Sequence, residues 1–186
     1  MNLWDKKRDM RQRYDVTAQI YDMRYAEEQA AKIEAALQHV KVKAAMLLDV
    51  GCGTGISFDH VADEARMTVG IDLSKKSLFK ARERSRDHTR IHLVQADADN
   101  MPLRNEVFDR VLAITLIQNM PNPTETLNEI KRVAKANASI VVTGLKKIFD
   151  RNTLEQLLKG AGLGIIVIEG ENLKCHVAVC TKTRCA

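Results

Sequence analysis

The chain has 186 residues, with 29 lysines and arginines against 24 aspartates and glutamates for a net charge of +5, and 45% of it is hydrophobic. This excludes collagen-like, disordered and disulfide-framework classes, since a chain of this length buries about 70% of its unfolded surface without metals or disulfides. The longest nearly apolar run, Leu163 to Ile168, falls far short of the roughly 20 residues of a membrane helix.

The N-terminus carries Lys6, Lys7, Arg8, Arg11 and Arg13 with no apolar stretch behind them, so a cytoplasmic protein without a secretory signal or membrane attachment is expected. No linker, repeat or low-complexity segment appears. Residues 1–186 are therefore read as one domain, a helical cap over 1–43 and an α/β core over 44–186. Within the cap, Val16, Ile20 and Met23, then Ile33, Ala36, Leu37 and Val40, recur at three- and four-residue steps with no proline or glycine, which predicts helices.

Short apolar runs then predict strands at 46–50, 68–71, 91–95, 110–114, 139–143, 164–169 and 176–181, with helices between them. Ile56 to Ala65 is expected to form the helix after the first strand. Asn122-Pro123-Thr124-Glu125 predicts another helix start, with Asn122 as cap, Pro123 in the first turn and Glu125 closing a capping box. Leu127, Ile130, Val133 and Ala134 would be its buried stripe. Strands alternating with helices imply a seven-stranded, mostly parallel sheet covered on both faces. The six residues between Glu169 and His176 are too few for a parallel crossover, so the last strand must run antiparallel.

Leu47-Leu48-Asp49-Val50-Gly51-Cys52-Gly53-Thr54-Gly55 is a strand entering a glycine-rich turn that lets a ligand approach bare backbone. A dinucleotide fingerprint would need glycine where Ile56 stands, so a pyrophosphate cofactor is disfavoured. The G-x-G-x-G spacing resembles the cofactor loop of class I S-adenosylmethionine-dependent methyltransferases. Three further segments fit in order: Val69 to Ser74, Ala96-Asp97-Ala98, and Phe108 to Ile114 followed by Thr115 to Pro121. The resemblance covers residues 14–181 and is nearest the type 11 branch that includes quinone-biosynthesis and tRNA-modifying enzymes. That branch carries a Y-D-x-x-A-x-x-Y-D pattern in a helix that closes over the cofactor; here Tyr14 to Asp22 supplies it.

The resemblance implies a Rossmann-like doubly wound fold with S-adenosyl-L-methionine as cofactor. Asp49 would orient the turn and receive the cofactor's ammonium group, and Gly51, Cys52, Gly53 and Gly55 would form the turn itself. Asp72, followed by Leu73, would accept from both ribose hydroxyls, with Ser74 left to cap the next helix. Asp97 would take the adenine amino group and Ala98 would offer its N–H to the ring, with Asp99 as a rival acid. Ile114 would lie under the methyl donor. Tyr14 would contact the cofactor or pack within its helix, and Tyr21 would position substrate.

Methyl transfer from a sulfonium depends mainly on alignment, so a dedicated catalytic residue is optional. Ile114 to Ile117 replaces the Asn/Asp-Pro-Pro-Tyr/Phe string of many amine-methylating relatives. Cys52 lies in the turn and Cys175, Cys180 and Cys185 near the sheet edge, poor places for a nucleophile; all four are read as free thiols. Gln118 and Asn119 stand where many relatives show histidine, and as amides they can position a substrate but not titrate. His39, His60, His88, His92 and His176 show no paired spacing, and no metal site is expected.

Lys75 to Arg90 carries a net +5, and residues 174–184 are also basic. Gly144 to Asn152 is too short for a substrate-capping insert, which predicts an open mouth. Together these favour a macromolecular acceptor, RNA before protein. The alternative acceptor is a small apolar molecule of quinone type, whose mark would be the N-terminal helix folded over a closed pocket. A third reading is a non-catalytic cofactor-binding subunit that works with a small activator protein.

Overall fold

A computed structural model describes residues 2–182. The absence of proline and glycine over the first forty residues yields one continuous helix, α1 (Leu3–Leu37), where several were expected. Asn2 and Asp5 form its capping box. Only its C-terminal third enters the core, through Gln29, Lys32, Ile33 and Ala36, whereas Val16 and Met23 are 72% and 82% exposed. Among the described residues upstream of Gln29, Ala18 alone is buried. The helical periodicity there marks a helix, and not a core-facing one.

The sheet comprises β1 (Met46–Val50), β2 (Met67–Asp72), β3 (Ile91–Gln95), β4 (Phe108–Ala113), β5 (Ala134–Leu145), β6 (Leu163–Glu169) and β7 (Cys175–Lys182). Its order is β3-β2-β1-β4-β5-β7-β6. The pairs from β3 to β5 are parallel, and β7 runs antiparallel between β5 and β6, as the short connection requires. Alternation along each strand divides the core in two. Leu48, Val111, Ile140 and Val142 face one layer with Leu127, Ile130, Leu154 and Leu158 of the helices. Leu47, Leu112, Val141 and Val179 face the other, with Ala36 and Val40.

The helices after β1, β2, β4 and β5 are α2 (Phe58–Val61), α3 (Lys75–Arg84), α4 (Pro123–Val133) and α5 (Arg151–Gly160). The first is only one turn long, against an expected Ile56 to Ala65. Turns occupy the residues on both sides, and the Phe58 ring is committed to packing beneath the glycines. Pro123 opens α4 as expected, but the Asn122 side chain makes no cap bond, so the capping box does not form. Ala134 is buried as the first residue of β5 and not as helix stripe, because α4 passes directly into the strand. Cys52, Cys175 and Cys180 are free and buried; Cys185 lies outside the described residues. Among the described residues no helix is long and apolar enough to cross a membrane.

Candidate active site

Strand order reverses between β1 and β4, and in open α/β sheets the crevice at such a point, outside the carboxyl ends of the strands, is where ligands bind. The turn after β1 is anchored there by the Gly51 and Cys52 N–H groups, which donate to Ile71 O at 2.8 and 2.9 Å. Gly53 holds φ at 55°, and a Cβ placed on it meets no atom within 4 Å. That side of the turn is bare backbone facing a cavity. Gly55, also at positive φ, is packed instead: a Cβ there would lie 2.6 Å from the Phe58 ring.

Asp72 ends β2 at the same crevice, and its two oxygens accept from Gly53 N at 2.9 Å and Ser74 N at 2.7 Å. Burial pushes its pKa up, opposed by those backbone donors. Ser74, not Asp72, caps α3, accepting from Ser77 N at 3.0 Å. Asp49 is buried beneath the turn and accepts from Ser57 Oγ. Burial pushes its pKa from the ordinary 3.8 to about 7.

The folded chain therefore holds the Asp49 proton more tightly than the unfolded chain does between those two values. Stability from this group is complete below about pH 4 and is lost as pH rises through 7. Asp49→Asn, which keeps an acceptor for Ser57, should raise the melting temperature at pH 8 and have little effect at pH 4. For a chain of this size each kcal/mol is worth about 2–4 °C. Thermal melts of both proteins across this range check the sign; an equal difference at both pH values would contradict it.

The larger cavity is lined by Gly51, Gly53, Asp72, Leu73, Asp97, Ala98, Ile114, Asn119, Tyr14 and Tyr21, all expected from the sequence. A smaller adjoining cavity adds Asp49 and Cys52 and shares Tyr21. Gln118 lines neither, and its Oε1 is buried without a hydrogen-bond partner. Asp97 is already engaged by the Lys7 ammonium at 2.7 and 2.9 Å, and Lys7 also reaches Asp99 at 2.5 Å. The Asn119 amide donates to the Tyr14 hydroxyl at 2.8 Å, and Gln29 donates to that of Tyr21 at 3.2 Å.

Sequence reasoning missed the α1 residues Lys7, Met10 and Arg11, which line the larger cavity, and Thr115, Leu116 and Met120 after β4. The mouth, expected to be open, is thus partly covered by α1. The basic segment also differs from a wholly solvated stripe. Arg84 turns inward and binds Asp22 of α1, Asp59 of α2 and Thr54 O of the glycine turn, tying the three together.

A strand, a glycine turn with bare backbone, and an acid at the tip of the neighbouring strand form one crevice, and residues 48–142 match the family model described as a methyltransferase domain. The chain belongs to this methyltransferase family. A demethylmenaquinone methyltransferase of Staphylococcus saprophyticus is 34% identical over 97 residues, which cover 50% of this chain and 42% of that one. The chain spans about half the length of the curated relatives it matches. Among solved structures, the Burkholderia thailandensis 1,6-didemethyltoxoflavin N1-methyltransferase, with 1,6-didemethyltoxoflavin and S-adenosylhomocysteine bound, superposes with a TM-score of 0.86 at 13% identity. That match covers 99% of this chain and 92% of the other. The methyltransferase partner in a complex with the Haloferax volcanii Trm112 methyltransferase activator gives a TM-score of 0.81 at 15% identity, over 92% and 98% of the two chains. At these identities both structures speak for the methyltransferase fold.

Proposed function

We propose that the chain is an S-adenosylmethionine-dependent methyltransferase whose acceptor is a small, largely apolar molecule held beneath α1. The observation that carries this reading is the roof: Met10, Tyr14 and Tyr21 of α1 close the cavity whose other wall is Ile114, Leu116 and Met120. The reading reverses the order that the expected open mouth and the basic segments together suggested. Within the basic segment Arg84 is consumed by Asp22 and Asp59, Lys80 pairs with Glu83 at 2.9 Å and Arg86 with Asp87 at 3.3 Å.

The residues present fit the cofactor: bare backbone at Gly53 faces the cavity beside a carboxylate, Asp72, that suits a ribose diol. Asp97 and Ala98 would meet the adenine and Asp49 the ammonium end. When bound, the sulfonium supplies an activated methyl group together with its own leaving group. The chain then has to align an acceptor atom in line with the carbon–sulfur bond and exclude water, which the α1 roof supports. Asn119, Tyr14 and Tyr21 are the polar groups able to orient the acceptor, and its displaced proton can pass to solvent at the mouth.

Methyl-labelled S-adenosylmethionine incubated with the chain and fractionated cell extract tests this directly. Label is expected in the small-molecule fraction. Neutralising Lys75, Lys76, Lys80 and Arg82 together should leave that transfer within about twofold. Label retained in RNA and lost in the quadruple variant, with a flattened salt dependence, would establish RNA as acceptor instead. Transfer that appears only when an extract protein is added would favour dependence on an activator.

A further inference from the structure

Thr115 lies just beyond β4 and lines the larger cavity. Its φ of 60° places a β-branched residue in the left-handed region, a conformation that persists where the surroundings over-determine it. Every polar group of Thr115 is engaged. Its N–H donates to Thr143 Oγ1 at 2.7 Å, and its carbonyl accepts from Asn119 Nδ2 at 2.8 Å. Its hydroxyl donates to Gln29 Oε1 at 2.9 Å and accepts from Lys32 Nζ at 3.2 Å. The same Asn119 amide nitrogen donates to the Tyr14 hydroxyl at 2.8 Å. Tyr14 thereby spends a lone pair on Asn119 and keeps its own proton to donate into the cavity.

Lys32 starts this chain of contacts and is 2% exposed. It pairs with Glu28 at 2.8 Å, and Glu28 also meets Lys174 at 3.0 Å. Packing does not call for a charge at such a position, because an apolar side chain of similar volume in place of a buried ion pair is commonly neutral or stabilising. The ammonium is better accounted for by what it holds.

We propose that Lys32 is a positioning residue for methyl transfer: with Gln29 it fixes Thr115, and through Asn119 it sets the direction in which Tyr14 donates to the acceptor. This rests on the methyltransferase reading above. Lys32 lines neither cavity, so it acts only through these neighbours.

The test uses the full chain labelled at the tyrosine Cζ carbons, three in all, with the Tyr14 signal assigned by Tyr14→Phe. Lys32→Met strands no charge, since Glu28 keeps Lys174. Thr115→Ala removes the hydroxyl without touching the ion pair and carries the test if Lys32→Met does not fold. Both variants should shift the Tyr14 Cζ signal and leave that of Tyr25 in place. Adding Lys32→Met to Asn119→Ala should cause no further shift. In Lys32→Met, whose side chain lines neither cavity, S-adenosylhomocysteine affinity should stay within about twofold, while transfer to the small-molecule fraction falls by roughly tenfold or more, the scale of a misplaced reactant. An unmoved Tyr14 signal in both variants, or an affinity that falls as far as the rate, overturns the proposal alone. Failure of the parent chain to bind S-adenosylhomocysteine overturns the methyltransferase reading and this proposal with it.

Discussion

A valine at position 53 is expected to abolish S-adenosylhomocysteine binding while leaving a cooperative unfolding transition. Gly53 has φ of 55°, so a branched side chain there costs about 1–2 kcal/mol in backbone strain. It meets no protein atom within 4 Å, so the fold has room for it. The room is the cavity itself, and the valine would stand where the ligand approaches the backbone. Gly55→Val is the contrasting control. There the new Cβ would lie 2.6 Å from the Phe58 ring and 3.3 Å from the Ala81 backbone, so the fold pays first. Overpacking of this kind costs typically 1–3 kcal/mol beyond the strain. Calorimetry and thermal melts on the two variants separate the effects: position 53 should lose binding and position 55 stability. Parent-like affinity in Gly53→Val would mean that the ligand approaches elsewhere.

Asp72→Ala should weaken S-adenosylhomocysteine binding by about 1.5–3 kcal/mol, the scale of hydrogen bonds to a charged group. Two causes act together. The variant removes the β2 carboxylate that lines the cavity, and it releases Gly53 N and Ser74 N, so the glycine turn loses the contact that holds its exposed side in place. Asp72→Asn keeps one acceptor oxygen and should recover part of the loss. The α3 cap bond itself is made by Ser74 Oγ and not by Asp72, so helix content should change little. Unaltered affinity in Asp72→Ala would reduce Asp72 to a turn-stabilising residue.

The strands were legible because each is a short apolar run between turn residues. β1 and β3 form at the predicted bounds, whereas β5 runs longer at both ends, because α4 continues into it without a break and because its last residues, Gly144 and Leu145, pair with β7. The glycine turn and the acids at positions 72 and 97 were legible for a related reason: their spacing is local, and a strand end fixes where each one points. The length of α2 was not. Apolar periodicity over Ile56 to Ala65 could not reveal that Phe58 is committed beneath the glycines. The α1 contributions were less legible still. Lys7 meets Asp97 across 90 positions, and Gln29 and Lys32 meet Thr115 across 86 and 83. Nothing local in a charged helix distinguishes the lysine that will be buried from those that stay in water. A threonine at positive φ gives no warning either, since its conformation is imposed by partners on α1, on β5 and in the turn after β4.

Calorimetry of the full chain tests most directly whether the crevice between β1 and β4 binds S-adenosylmethionine. S-adenosylmethionine and S-adenosylhomocysteine should both bind in the micromolar range, about −8 kcal/mol at 1 μM, with one ligand per chain. NAD should not compete, because Ile56 occupies the place of the third glycine that a pyrophosphate turn needs. Absent or millimolar binding of both sulfur ligands, alongside tight binding of NAD, would contradict the account.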